Sequence, residues 1–208
     1  TAVNLVHDGN PLLGEKVVVL GQGIVGLLLS KVLGQFPLAG LYAIESIQAR
    51  RACALQAGVH QVADPQSGEE LKALQQAIAS QGAGNGADLI YEVSGVPAAL
   101  NTAIALSGYA TRIVIGSWYG SKSAAINLGG LAHRNRLRIT TSQVSTLAPE
   151  LSGRWDKDRR FDLSWQLLQQ LEPAQLITHR VPLEKAAALY SHLHQQPDDV
   201  LQAVLTYP

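Results

Sequence analysis

The sequence predicts an α/β fold built on a doubly wound parallel sheet. Short apolar runs alternate with stretches of helical spacing along most of the chain. Runs such as Lys16–Leu20 (KVVVL) and Asp88–Val93 (DLIYEV) are almost continuously apolar, as strands covered on both faces are. A glycine-rich turn, Gly21–Gly26, joins the first of these strands to the first helix after it.

In order, Lys16–Leu20 is expected as a buried strand and Ile24–Leu33 as its helix. Leu41–Glu45 is the second strand, Ile47–Gln56 a helix, and Gln61–Asp64 a short third strand. Glu69–Ser80 has helical spacing and runs into the Gly-rich turn Gly82–Gly86. Asp88–Val93, helix Pro97–Leu106 and strand Arg112–Gly116 continue the alternation, and Leu137–Ser142 is the sixth strand. Each strand feeding a helix implies a parallel sheet covered on both faces, from about Leu12 to Ser145.

Beyond it, Pro149–Arg160 reads as a polar, turn-prone link. Helix Phe161–Leu171, strand Leu176–Val181, helix Leu183–Leu193 and strand Val200–Thr206 follow as a short αβαβ extension. This tail is too small to enclose a core alone. It either extends the first sheet or belongs with a further domain. The division is therefore 1–150 for the doubly wound domain and 151–208 for a C-terminal helix and return segment.

Composition narrows the functions. Of 208 residues, 47% are apolar, which supports a substantial core and excludes the disordered class. Lys+Arg and Asp+Glu each number 16, so no net field draws nucleic acid or an anionic membrane. One cysteine, Cys53, rules out an intramolecular disulfide framework and points to a reducing, cytoplasmic compartment. No apolar run reaches the roughly 20 residues that span a bilayer. A start at Thr1 and a complete lack of methionine suggest a processed product or a fragment of something longer.

The turn Gly21-Gln22-Gly23-Ile24-Val25-Gly26 is a G-x-G-x-x-G in the context that gives the pattern meaning. Gly21 permits the tight turn, Gly23 leaves room for a pyrophosphate against the backbone, and Gly26 lets helix and strand approach. The helix N-terminus offers unpaired N–H groups and partial positive charge to the phosphates. The acid expected about 20 residues on is Glu45, whose carboxylate suits ribose hydroxyls and repels a 2′-phosphate. Arg50 and Arg51 leave two readings open: a site for a 2′-phosphate, or a hydrogen bond on the 3′ side. With Glu45 present, NAD is favoured over NADP.

These residues resemble the medium-chain, alcohol-dehydrogenase-like reductases, particularly the zinc-dependent alcohol, polyol and threonine dehydrogenase branch. The resemblance rests on ordered motifs: TAVNLVHDG at Thr1–Gly9 as a lead-in helix, GEKVVVLGQGIVGLL at Gly14–Leu28, DLIYEVSG at Asp88–Gly95, RIVIGSW at Arg112–Trp118 and LITHRVPLEKA at Leu176–Ala186. It implies a Rossmann fold and hydride transfer between an alcohol or ketone and nicotinamide. Carried over by position, Gly21, Gly23, Ile24, Val25 and Gly26 meet the pyrophosphate, and Glu45 and Arg50 the adenosine ribose. Ser94 and Gly95 lie along the cofactor's middle, Ile115, Gly116 and Ser117 on the nicotinamide side, and Thr141 and Gln143 at the carboxamide. Thr-Thr-Ser-Gln at this last position departs from the commoner Gly-Ser.

The same resemblance puts the catalytic zinc, its Cys/His/Glu ligands and the proton relay mostly in an N-terminal barrel-like domain, outside these 208 residues. A structural zinc needs four closely spaced cysteines, against the single Cys53 here. No zinc site, no catalytic residue and no turnover are expected of the chain alone. No tyrosine is followed four residues later by lysine, which disfavours short-chain dehydrogenase chemistry. His133–Arg138 with Arg154–Arg160 reads as a basic, solvated face. The alternative function is a non-catalytic dinucleotide-sensing module, which explains the glycine turn and Glu45 but not the EVSG and THRVPLEKA motifs. A homo-oligomer is possible on the apolar stripe of the tail.

Overall fold

The computed structural model describes residues 1–81 and 84–207, so part of the predicted Gly82–Gly86 turn lies outside the described residues. Six strands form one parallel sheet: β1 (Lys16–Leu20), β2 (Gly40–Ile44), β3 (Gln61–Ala63), β4 (Ala87–Glu92), β5 (Ser107–Ile115) and β6 (Arg138–Thr141). Their spatial order is β3-β2-β1-β4-β5-β6. The winding reverses between β1 and β4, and that reversal opens a crevice at the strands' carboxyl ends.

Period-two alternation within each apolar run sends side chains into two cores. Val17, Val19, Leu41, Ala43, Leu89 and Tyr91 pack with α1 (Ala2–Gly9), α2 (Ile24–Leu33) and α3 (Gln48–Gln56). Val18, Leu20, Tyr42, Ile44 and Ile90 face α4 (Gly68–Ser80) and α5 (Ala99–Leu106) on the other side. Val17, Val18 and Val19 are all fully buried, which is why the run carries no polar alternation. Each such side chain contributes on the order of 1.5–3 kcal/mol of burial.

Two boundaries differ from the sequence reading by four residues or more. β5 begins at Ser107, five positions before Arg112, because a bulge between Ala87 and Leu89 restarts its pairing with β4. Ala110 takes a left-handed φ of 59° there, which no apolar pattern announces. In the tail, α6 (Lys157–Leu171) starts inside the stretch read as a link, since the Asp156 carboxylate caps it by accepting from Arg159 N–H at 2.7 Å.

The tail does not extend the large sheet. β7 (His179–Pro182) and β8 (Ala203–Thr206) pair in parallel as a separate ribbon, connected through α7 (Ala186–Gln195). Residues 173–176 form a 3-10 turn, so the predicted strand from Leu176 starts only at His179. Leu176 is buried, and with Leu167, Leu171 and Leu201 it joins the core built on α1 and α2. Arg160, read as part of a solvated basic face, is buried instead: its guanidinium donates to Asn4 Oδ1, to Val144 O at 2.8 Å and to Thr146 O at 3.1 Å.

Candidate functional site

At the carboxyl ends of β1, β2 and β4 lies a cleft of about 380 Å³. Gly21, Gly23, Glu45, Arg50 and Ser94, all singled out from sequence, line it together. Gly21 has φ +93°, and a Cβ there would stand 2.6 Å from Ser94 Cα. At Gly26 a Cβ would meet Gly21 O at 2.0 Å, so this glycine is required for α2 to leave β1 so sharply. Gly23 is different. A Cβ there would approach only Arg50 Nη1, at 4.0 Å, so the space above Gly23 faces the cleft. Ile24 and Val25 complete the first turn of α2, with Gly23 as its N-cap.

Glu45 stands one residue past β2 and is only 6% exposed. It accepts from Gln22 N–H at 2.6 Å with one oxygen and from Ile47 N–H at 2.9 Å with the other. The acid therefore fixes the glycine turn and the start of α3 together, while still lining the cleft. The adjacent arginines separate. Arg51 donates to Glu45 O, Ser46 O and Asp64 Oδ2 at 3.0, 2.7 and 2.9 Å, while Arg50 faces the cleft.

A second constellation centres on Glu92, to which the sequence reading gives no role. Glu92, fully buried at the end of β4, accepts from Ser94 N–H at 2.8 Å, from the Ser94 hydroxyl, and from the Tyr119 hydroxyl at 2.5 Å. Its own carbonyl accepts from Gly116 N–H at 2.9 Å. Ser117 Oγ accepts from Gly95 N–H at 2.8 Å. The loops after β4 and β5 are thereby bound into one rim. Burial, followed by the Glu92 hydrogen bond and charge, pushes the Tyr119 hydroxyl well above its ordinary value. The signal was the glutamate in DLIYEVSG, an acid in an otherwise apolar strand.

Ile115 ends β5 in register with Thr141 of β6. Thr141 and Gln143 line another cavity, about 410 Å³, with His7, Asp8 and Glu150, so they do not share the cleft of Glu45. Gln143 Oε1 accepts from Ser145 N–H at 2.7 Å.

A family model for zinc-binding dehydrogenases matches residues 23–158, well over half of the chain. The chain belongs to the zinc-binding dehydrogenase family. D-guloside 3-dehydrogenases of Escherichia coli K12 and Shigella flexneri are 26% identical over 212 aligned residues. That alignment takes in 99% of this chain but 59% of theirs, so the chain spans little more than half the length of these relatives. A solved short chain alcohol dehydrogenase from Escherichia coli CFT073, complexed with NADH, superposes with TM-score 0.75 at 23% identity, over 99% of this chain and 56% of that one. The 2R,3R-butanediol dehydrogenase of Bacillus subtilis gives 0.74 at 20% identity, over 100% and 55%. These likenesses establish the shared fold.

The family's metal does not fit the residues present. Among the described residues no three His, Cys, Asp or Glu side chains come together as a metal-holding group. His179 and His192 approach with ring centroids 5.7 Å apart, and Cys53 is free and half-buried. No chemical step is assigned to zinc on this chain. A dinucleotide fits better: an open backbone approach at Gly23, a helix N-terminus and a buried acid converge on one cleft. Among the described residues no helix is long and apolar enough to cross a membrane.

Proposed function

We propose that the chain is the NAD-binding portion of an alcohol-dehydrogenase-like oxidoreductase, moving a hydride between an alcohol or ketone and nicotinamide. The observation that carries this reading is the Glu45 carboxylate bound to the Gln22 N–H at 2.6 Å. It joins the ribose acid to the phosphate turn as one preformed unit at the switch point of the sheet.

Gly21, Gly23, Ile24, Val25 and Gly26 cradle the pyrophosphate, and Glu45 takes the adenosine ribose. Ser94 and Gly95 border the middle of the cofactor. Ile115, Gly116 and Ser117 meet the nicotinamide side, with Thr141 and Gln143 beyond it. When bound, the nicotinamide supplies the hydride chemistry. The chain itself orients that ring, through the rim that Glu92 holds, and excludes water. Preference for NAD over NADP follows from Glu45, beside which a 2′-phosphate would sit as a second anion, and from Arg51, which is engaged by Asp64. The division at residue 150, a cytoplasmic setting and self-association belong to the same reading.

Calorimetric titration with NAD and NADP tests it. NAD binding tighter than NADP by ten-fold or more is expected. Equal or tighter NADP affinity would overturn the preference, and no affinity for either nucleotide would overturn the reading.

A further inference from the structure

Arg160 is a buried cation, 5% exposed, in the first turn of α6, where the helix N-terminus already carries partial positive charge. Among the described residues the ion pairs are Arg51–Asp64 and Arg112–Glu15, and neither involves it. Burying a guanidinium without a carboxylate is costly, so its neutral acceptors must be well placed. Three are. Nη1 donates to Asn4 Oδ1 and to Thr146 O at 3.1 Å, and Nη2 donates to Val144 O at 2.8 Å. A guanidinium can only donate, so this contact also fixes which way the Asn4 amide faces. Asn4, 1% exposed on α1, therefore turns its Nδ2 to Ser142 Oγ at 3.0 Å and to Asp8 Oδ2 at 2.9 Å. Ser142 is the residue between Thr141 and Gln143, and its own N–H donates to Ile115 O at 2.7 Å, at the end of β5. One side chain of α6 thus holds the loop after β6 twice, through two of its carbonyls and through Asn4 to Ser142.

We propose that Arg160 is a positioning residue for the nicotinamide end of the site. Through Asn4 and Ser142 it sets the loop that carries Thr141 and Gln143, and so governs affinity for the nicotinamide half without touching it. The proposal rests on the dinucleotide reading above and adds to it the device that sets its far end. A guanidinium is needed because its planar fork serves acceptors on two elements at once, which the compact ammonium of lysine cannot do. The device is also separate from the glycine turn. None of Asn4, Ser142, Val144 and Thr146 lines the cleft of Glu45, so the adenosine and diphosphate half lies outside its reach.

The test compares wild type, Arg160→Lys and Ser142→Ala in calorimetric titrations with ADP and with NAD. Amide shifts of residues 141–146 and 44–47 are read by NMR in the free protein. Arg160→Lys keeps the charge and loses the fork, whereas Ser142→Ala leaves Arg160 in place and cuts only its route to the loop. In Arg160→Lys, NAD should weaken about ten-fold while ADP stays within two-fold of wild type. Ser142→Ala should give the same split in smaller measure, and it decides the matter if the lysine variant does not fold. In both, amides 141–146 should move and amides 44–47 should not. Equal weakening of ADP and NAD would make Arg160 a purely structural residue and overturn the proposal. Unchanged NAD affinity in either variant would overturn it too, as would NAD weakening with amides 141–146 unmoved. A wild-type chain that binds ADP and NAD equally well would remove the nicotinamide contribution and the proposal with it, leaving the adenosine half intact. A wild-type chain that binds neither would overturn the dinucleotide reading itself.

Discussion

The Gln22 N–H donates to the Glu45 carboxylate at 2.6 Å, both groups buried, across the gap between two parallel strands. A charged acceptor in this position is worth more than a neutral one. Glu45→Ala should therefore cost stability as well as cofactor selectivity, because the N–H groups of Gln22 and Ile47 lose their acceptors. A loss of roughly 1–3 kcal/mol in urea unfolding is expected, together with a smaller difference between NAD and NADP affinity. A variant as stable as wild type would contradict this.

The three motif glycines should separate into two classes. Gly21→Ala and Gly26→Ala should unfold the turn, since the new methyl meets Ser94 Cα at 2.6 Å or Gly21 O at 2.0 Å. Gly23→Ala should fold, at a cost of about 1 kcal/mol for a poorer N-cap, because its methyl stays 4.0 Å from the nearest atom. Its effect should fall on dinucleotide affinity instead. Thermal melts alongside NAD titrations distinguish the classes, and normal NAD binding by Gly23→Ala would refute the assignment.

Glu92→Gln and Tyr119→Phe should loosen the rim without dissolving the sheet. Removing the Tyr119 hydroxyl leaves the buried Glu92 carboxylate one donor short, a loss on the order of 1–3 kcal/mol. Faster hydrogen exchange is expected at Ser94, whose amide donates to the Glu92 carboxylate, and less so at Gly116 and Ser117, whose amides donate to the Glu92 backbone carbonyl. Exchange unchanged at these amides in both variants would mean that the rim is held by its other bonds.

Acid should destabilise the fold through His7. Burial foremost, then the charges of Arg160 and Arg159, hold its imidazole below the ordinary value, which is about 6.5. Below about pH 6.5 the unfolded chain therefore takes up a proton that the folded chain still refuses, so stability falls from there through the lower folded pKa. Asp8, pushed upward mainly by burial, acts in the opposite sense. His7→Gln isolates the effect: between pH 7.5 and 5.5 its urea midpoint should drop less than that of wild type. Parallel drops would exclude His7 as the cause.

Purified chain should bind NAD yet oxidise no alcohol or polyol, with or without added zinc. Among the described residues no group of three metal-ligating side chains is assembled to lower the pKa of a bound alcohol. Turnover abolished by a substitution within these residues would overturn the expectation.

Much of the fold was legible because burial on both sheet faces leaves a plain trace, the unbroken apolar run. Lys16–Leu20 and Ile24–Leu33 were located to the residue on that basis. The start of β5 was not legible, since a bulge and a left-handed Ala110 are matters of pairing with β4 rather than of local composition. Arg160 misled for a related reason. A charge run looks solvated until distant carbonyls and Asn4 gather around one member of it.

Sequence alone determined the winding of the sheet, the phosphate turn and the acid that accompanies it, because each depends on residues near one another in the chain or on a short, regular spacing. The residues alone left Arg50 and Arg51 open, and only the family resemblance set Arg50 beside the ribose. Neighbours on a helix point about 100° apart, so one rotation gives one arginine to the cleft and the other to Asp64. Which is which depends on how α3 lies over β2 and β3 and on where the tail returns, 147 and 150 positions away in sequence. Only tertiary packing sets those distances, and it gave Arg50 both the open cleft and the carbonyls that hold it there.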